Sequence, residues 1–225
     1  MKKLLNLFFP PVCEGCSLLL GDNEQLLCSK CRHELPVTNF HFEENDYVKK
    51  VLYGRVHLEH ATALLHFSKK GIVQQLLHNL KYRGHEAIGG FFGTWLGAEL
   101  SSIEAYKNID VVVPVPLHKS KLRKRGYNQV AQFGKAIAKA LQVDYDDKTL
   151  VREFANVTQV FKNRVMRSED NQSRFKLADS NTLKHKHILL VDDIITTGAT
   201  IESCCMELHK IDGVKISLAT MAIAD

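Results

Sequence analysis

The stretch ILLVDDIITTGAT, residues 188–200, decides the fold of this 225-residue chain. Its apolar beginning, together with the preceding histidine, predicts a buried strand over 187–191 that ends at two adjacent carboxylates, Asp192 and Asp193. Threonines and a glycine follow and lead into a predicted helix at 201–210. In open α/β sheets, ligands bind beyond the carboxyl ends of the strands. The two aspartates and the loop after them are therefore the candidate site.

This loop has the chemistry of a phosphate site. The first N–H groups of a helix lack intrahelical partners, and together with the helix dipole they attract phosphate. Gly198 allows a close approach of the backbone, and Thr196, Thr197 and Thr200 add hydroxyl donors. The carboxylates suit sugar hydroxyls or a magnesium-bound ligand. A phosphorylated ribose has a phosphate for the N–H and hydroxyl donors and sugar hydroxyls for the carboxylates. The alternative is that the acids are purely structural residues in a capped turn.

Strand and helix patterns alternate along the rest of the chain. Strands are predicted at 61–67, 109–117, 141–145, 187–191 and 214–224, and helices at 72–80, 92–100, 130–141 and 201–210. The valine-rich run IDVVVPVPL at 109–117 is apolar on both faces, as in a parallel sheet covered by helices. The patterns predict an α/β fold, an open parallel sheet with helices on both faces and right-handed crossovers.

Four cysteines near the N-terminus have the spacing of a zinc site. They form the motifs CEGC and CSKC and are Cys13, Cys16, Cys28 and Cys31. Two such pairs can place four thiolates tetrahedrally around one zinc ion. Four cysteines also close the coordination shell, which predicts a structural zinc site rather than a catalytic one. Disulfides are the alternative, but they need an oxidising compartment that the sequence does not signal.

A basic segment follows the valine-rich strand. It reads PLHKSKLRKRGYNQ over 116–129 and begins at the same predicted sheet edge as the aspartates. We expect Lys119, Arg123 and Arg125 to bind pyrophosphate or a nucleic-acid backbone. Tyr127 is placed to stack on a base of a single strand. Lys81, in the motif KYRG, is a further candidate, and a solvated charged helical turn is the alternative interpretation.

The sequence carries no sign of export or membrane insertion. The apolar run at 4–9 is shorter than the roughly 7–15 residues of a secretory signal core. No stretch approaches the ~20 apolar residues of a membrane span. A hydrophobic content of 45% and a charged content of 24% are ordinary for a soluble globular protein. We therefore expect a cytoplasmic protein with no membrane span.

The motif VDDIITTGAT resembles the phosphoribosyl pyrophosphate (PRPP) binding motif of type I phosphoribosyltransferases. The resemblance implies that Asp192 and Asp193 bind the ribose hydroxyls of PRPP and that magnesium accompanies the ligand. It also implies a loop that holds the 5-phosphate, made of Thr196, Thr197, Gly198, Ala199 and Thr200.

The ordered set of motifs resembles the ComF family over nearly the whole chain. The set comprises the four cysteines, KYRG, VPVPL, RGYNQ and VDDIITTGAT. The resemblance implies a zinc-binding module at 1–45 and a phosphoribosyltransferase-like domain at 46–225. It further implies a competence-associated protein that supports DNA uptake or processing in natural transformation, with PRPP, single-stranded DNA and other competence proteins as partners. At Asp170 the family has an asparagine, so no role is assigned there.

Two functions stay open at this point. In the first, the transferase fold serves as a PRPP-binding and DNA-binding module. In the second, the chain is an active phosphoribosyltransferase that transfers phosphoribosyl from PRPP to an unidentified acceptor. The sequence shows no segment that reads as a pocket for an acceptor base, and a fold by itself does not decide function.

Overall fold

The computed structural model describes residues 10–43, 45–153 and 175–224; position 170 and the apolar run at 4–9 lie outside these ranges. The strands are β1 (Ala61–Phe67), β2 (Val111–Pro114), β3 (Asp144–Tyr145), β4 (Leu150–Arg152), β5 (Phe175–Leu177), β6 (His187–Ile195) and β7 (Lys215–Ala224). The helices are α1 (Ser29–His33), α2 (Tyr47–Lys50), α3 (Ile72–Tyr82), α4 (Ala87–Ser101), α5 (Lys119–Arg125), α6 (Ala131–Leu141) and α7 (Ala199–Leu208). In these three ranges, each helix falls short of the length and apolar character that crossing a bilayer requires.

The core is a five-stranded parallel sheet in the order β1-β7-β6-β2-β3. The central strand, β6, pairs along its length with β7 and over the four residues 188–191 with β2. A separate antiparallel pair is formed by β4 and β5. Because the strands of the main sheet are parallel, their carboxyl ends lie at one edge. The predicted α/β fold with an open parallel sheet is confirmed.

The predicted end of the central strand at Val191 is wrong. β6 continues through both aspartates, because Asp192 pairs with Thr220 and Ile195 pairs with Ile223 of the long strand β7. The two acids therefore lie inside the central strand instead of beyond its end. They are buried in the sheet, and the exposed loop begins only after Ile195.

Both faces of the sheet are covered. On one face, Leu189 and Val191 of β6 belong to the same buried cluster as residues of α3, α4 and α6. On the other face, Ile188 and Leu190 belong to a second buried cluster with residues of α7. The alternation follows the two-residue period of a strand. It explains why the apolar run at 188–191 has no polar face.

The cysteine-containing segment packs against α3. Cys13 and Cys31 are buried in the same cluster as Leu76 of α3. Glu14, inside the CEGC motif, accepts a 2.9 Å hydrogen bond from the Asn79 side chain and lies 2.6 Å from Nδ1 of His85. The segment thus shares its buried core with the sheet domain, while the domain boundary at residue 45 stays a prediction.

Candidate functional site

The two aspartates of β6 are buried side by side near the carboxyl end of the central strand. Asp192 is 7% exposed and Asp193 is 5% exposed. The N–H of Asp193 donates a 2.8 Å hydrogen bond to Oδ1 of Asp192. Burial and a neighbouring like charge both disfavour an ionised carboxylate. The pair therefore resists carrying two negative charges at once.

The pKa of Asp192 is raised by these two effects. Burial, and after it the charge of Asp193, raises that pKa to about 8. The N–H of Asp193 and the positive charges of Lys81 and Arg152 lower it, but not enough to compensate. At neutral pH the carboxyl group of Asp192 therefore favours its protonated form. Burial, with the charge of Asp192 next, also raises the pKa of the Cys204 thiol, as suits a core residue.

Lys81, at the end of α3, is a counter-ion of the acid pair. Its Nζ lies 3.0 Å from Oδ1 of Asp193. The other carboxylate oxygen, Oδ2, is buried and has no hydrogen-bond partner in the part of the chain that the structure describes. A buried acceptor without a donor costs about 1–3 kcal/mol. Oδ2 of Asp193 is thus a position at which a ligand hydroxyl or a cation would be stabilised.

The loop after β6 is open to solvent and leads directly into α7. Thr196, Thr197, Ala199 and Thr200 are exposed, whereas Gly198 is buried and has a φ of +77°. This left-handed conformation favours glycine. As the N-cap of α7, Gly198 offers no side chain to the first N–H groups of the helix. The loop and the helix start therefore present backbone donors and threonine hydroxyls to an anion.

Arg55 contacts this loop, although it lies far away in the sequence. Its Nη2 donates hydrogen bonds to the carbonyl oxygens of Thr197, at 2.7 Å, and of Val51. Its Nη1 donates a 2.8 Å hydrogen bond to Glu202 in the first turn of α7. Arg55 was not among the site residues predicted from the sequence, because a single arginine in the segment YGRV belongs to no periodic pattern or motif.

The basic segment is partly helical. Lys119–Arg125 form α5, which begins after His118, whose side chain accepts a hydrogen bond from the N–H of Ser120, and ends at Gly126. No residue of α5 is buried. The helix follows β2, so it starts at the same sheet edge as the acid pair. Lys119 and Arg123 are exposed on this helix.

The basic segment is joined to the end of α3, which carries Lys81. The Tyr127 hydroxyl donates a hydrogen bond to the carbonyl oxygen of Leu80, and the ring packs against the buried core. The guanidinium of Arg125 lies 5.4 Å from the centre of the Tyr82 ring. Tyr82 is 66% exposed, whereas Tyr127 is partly buried.

The four cysteine sulfurs form one cluster. They lie within 4.8 Å of one another, and the Sγ atoms of Cys16 and Cys28 are 3.8 Å apart. Zinc–sulfur bonds of about 2.3 Å in a tetrahedron give sulfur separations of about 3.8 Å. Burial raises the pKa of Cys13, but N–H groups, led by that of Cys28, outweigh it and lower the pKa to about 7. The cluster can hold a metal ion, and its donor set fits zinc.

Sequence comparison relates the chain to known proteins. The model of the phosphoribosyl transferase domain matches residues 130–224, which include both aspartates and the loop after them. DNA utilization protein YhgH of Escherichia coli K12 is 26% identical over 129 residues, 56% of each chain. Competence protein F of Haemophilus influenzae is 28% identical over 116 residues, 51% of each chain. Competence protein ComFC of Bacillus subtilis is 24% identical over 153 residues, 64% of this chain and 58% of the relative.

Solved structures show weaker similarity. The glutamine PRPP amidotransferase of B. subtilis is 15% identical with a TM-score of 0.41, over 63% of this chain and 30% of that chain. A hypoxanthine phosphoribosyltransferase of Staphylococcus aureus is 18% identical with a TM-score of 0.36, over 60% of this chain and 62% of that chain. The chain spans about half the length of the first curated relatives it matches. These matches agree with the resemblance drawn from the motifs: the chain is similar to proteins named for competence and DNA utilization, and its residues 130–224 match a phosphoribosyl transferase domain.

Proposed function

We propose that this chain is a competence-associated protein that binds PRPP at the carboxyl edge of its sheet and supports the uptake or processing of DNA. The observation that carries the proposal is the buried acid pair, with an unpartnered Oδ2 on Asp193, directly before an open loop at a helix N-terminus. Relatives named for competence and DNA utilization support the biological role.

The site supplies a partner for each part of PRPP. The 5-phosphate binds the loop at 196–200 and the first N–H groups of α7. The ribose hydroxyls donate to Asp192 and Asp193, and one of them satisfies the buried Oδ2 of Asp193. Magnesium, a hard cation that prefers oxygen ligands, accompanies the pyrophosphate. The cations proposed to bind that group are Lys81 and, on the basic segment, Lys119, Arg123 and Arg125.

Single-stranded DNA is the second proposed ligand, and it binds the basic surface. This surface consists of α5 together with Tyr82 and Arg83 at the end of α3. Exposed cations track a phosphate backbone, while an exposed aromatic ring stacks on a base. Tyr82, which is 66% exposed, is proposed as a stacking residue in addition to the partly buried Tyr127.

Transferase activity is the alternative function. The domain match favours it, because the matched residues 130–224 contain the acid pair and the loop at 196–200, which we name the phosphate loop. In that reaction an acceptor nitrogen forms a bond to C1 of the ribose while the bond to pyrophosphate breaks, and the acceptor loses a proton. Cations such as Lys81 would stabilise the leaving pyrophosphate. Release of pyrophosphate in the presence of candidate bases distinguishes an enzyme from a binding module.

The cysteine cluster is proposed to hold a structural zinc ion. Four thiolates leave no open position for a substrate. The cluster is held against α3 by Glu14, so zinc would fix the N-terminal segment on the sheet domain. Reduced cysteines of this kind belong to a reducing compartment. We therefore propose the cytoplasm as the location.

Replacing both acids should abolish PRPP binding. Calorimetry with PRPP and magnesium should show an affinity at least about 100-fold lower for Asp192→Asn with Asp193→Asn, since charge-assisted hydrogen bonds are worth roughly 1.5–3 kcal/mol each. Asp212→Asn, an exposed acid before β7, is the matched control and should bind as the wild type does. Equal affinity of the wild type and the double variant for PRPP would show that the two acids do not contribute to PRPP binding.

The raised pKa of Asp192 predicts a pH-dependent stability. An aspartate has a pKa of about 3.9 in the unfolded chain and about 8 in the folded protein. The folded state thus binds the extra proton, and its contribution to stability is full below pH ~4 and is lost as pH rises through 8. Urea unfolding at pH 5.5 and 8.5 should show a smaller pH effect for Asp192→Asn than for wild type. An identical pH effect in both proteins would contradict the raised pKa.

Removing one thiolate should release the zinc. Cys13→Ser should lower the zinc content measured by atomic absorption and expose the N-terminal segment to protease, because the metal supplies much of the folding free energy of such short segments. Cys205→Ser alters a buried cysteine outside the cluster and should keep its zinc. Unchanged zinc content in Cys13→Ser would refute the assignment.

Tyr82→Ala should weaken binding of single-stranded DNA. The loss of one stacking platform costs about 1–3 kcal/mol, and the remaining affinity should fall steeply with salt. Fluorescence anisotropy with a labelled oligonucleotide measures both effects. Tyr53→Ala removes another exposed tyrosine outside the basic surface and serves as the control. Binding that is insensitive to salt would exclude the basic surface as the DNA site.

A further inference from the structure

The segment after α2 lies directly on the phosphate loop. We name residues 51–58 the cover segment. A Cβ atom on Gly198 would come within 2.6 Å of Cδ2 of Leu52 and 3.1 Å of Nη2 of Arg55. Leu52 is 1% exposed and belongs to the buried cluster that includes α7. One side of the loop is therefore closed by the cover segment, and a ligand approaches from another side.

Arg55 links three elements at this point. Its guanidinium donates to the carbonyl oxygens of Val51 in the cover segment and of Thr197 in the phosphate loop, and to the carboxylate of Glu202 in α7. The arginine side chain is 34% exposed and the Glu202 side chain is 29% exposed. A planar fork of donors can hold such partners in fixed directions, which a lysine cannot do.

The contact with Thr197 fixes the direction of a backbone donor. In a planar trans peptide, the carbonyl of one residue and the N–H of the next point in opposite directions. Because Arg55 holds the Thr197 carbonyl, the N–H of Gly198 is directed away from the cover segment. The same N–H belongs to the group of donors at the start of α7 that an anion would meet.

The contact with Glu202 changes the charge at the helix start. A carboxylate in the first turn of α7 is favourable for the helix dipole, but it repels a phosphate that binds at the same place. The ion pair of 2.8 Å between Arg55 and Glu202 compensates this negative charge. Without Arg55, the phosphate loop would face an uncompensated carboxylate.

We propose that Arg55 is a positioning residue for phosphate binding: it orients the Thr197–Gly198 peptide and neutralises Glu202, so that the start of α7 accepts the 5-phosphate of a ribose ligand. The inference rests on the proposed function of this loop as a phosphate site. It adds a residue from the cover segment, outside the matched domain at 130–224.

The test compares three variants by calorimetry with ribose 5-phosphate and, separately, with pyrophosphate. Arg55→Gln should bind ribose 5-phosphate about tenfold more weakly, the effect of losing a charge-assisted contact, with no change for pyrophosphate. Arg55→Lys keeps the charge but lacks the fork, so its affinity should lie between those of wild type and Arg55→Gln. Lys50→Gln, an exposed cation of α2, is the matched control and should bind both ligands as wild type does.

Glu202→Gln separates positioning from a merely structural bridge. If Arg55 only ties the cover segment to α7, Glu202→Gln breaks the same bridge. It should then weaken the binding of ribose 5-phosphate as much as Arg55→Gln does. In our proposal, Glu202→Gln removes a repulsive charge and should bind ribose 5-phosphate as well as wild type or better. Equal losses in both variants would overturn the proposal.

Amide hydrogen exchange of residues 196–202, measured without ligand, keeps the two hypotheses apart. Arg55→Gln should exchange faster than wild type at the Glu202 amide, whose N–H donates to the Gly198 carbonyl oxygen in the first turn of α7, because the Thr197–Gly198 peptide is no longer held. A wild type that binds no ribose 5-phosphate would refute the proposed function, and exchange would then decide alone whether Arg55 orders the loop. Unchanged exchange together with unchanged affinity in Arg55→Gln would overturn the inference.

Discussion

Two adjacent carboxylates buried in the central strand are the constraint on which the rest of the structure depends. β6 pairs with β2 only as far as Val191 and continues beside β7 at Asp192, and both aspartates are withdrawn from water. Desolvation raises the pKa of Asp192, and Lys81 lies beside Asp193 as a nearby cation. The proposed ligand site rests on the buried Oδ2 of Asp193, which has no hydrogen-bond partner among the described residues.

The surrounding elements supply what the acid pair lacks. Lys81 reaches Asp193 from the end of α3, and that helix end is in turn held by Tyr127 from the basic segment. The same helix anchors the cysteine-containing segment through Asn79, which binds Glu14. One helix thus joins the cysteine cluster, the counter-ion of the acids and the basic surface. A ligand at the acid pair would be bound in the midst of these three features.

The loop at 196–200, the proposed phosphate loop, is supported by the cover segment and not by α3. Its glycine has a left-handed backbone and is covered by Leu52, so a larger residue there would be strained and would have to displace the side chains of Leu52 and Arg55. Arg55 compensates the charge of Glu202, which otherwise would compete with an anionic ligand. The acid pair and the loop are therefore organised separately, one by α3 and the other by the cover segment. A phosphorylated sugar is a ligand that would use both.

The sequence by itself determined the parallel α/β sheet, the cysteine cluster and the location of the acid pair and its loop. Each of these features is local: apolar periodicity, paired cysteines and a strand followed by Thr-Thr-Gly are readable within a few residues. Only the tertiary structure decided that β6 runs on past Asp192 and Asp193, because the length of a strand depends on its partner, β7. Arg55 and Lys81 acquire their contacts in the same way, from residues about 140 and 110 positions away, where no periodicity extends. Tyr127 and Tyr82 look alike in the sequence, and only packing buries one against the core and leaves the other exposed.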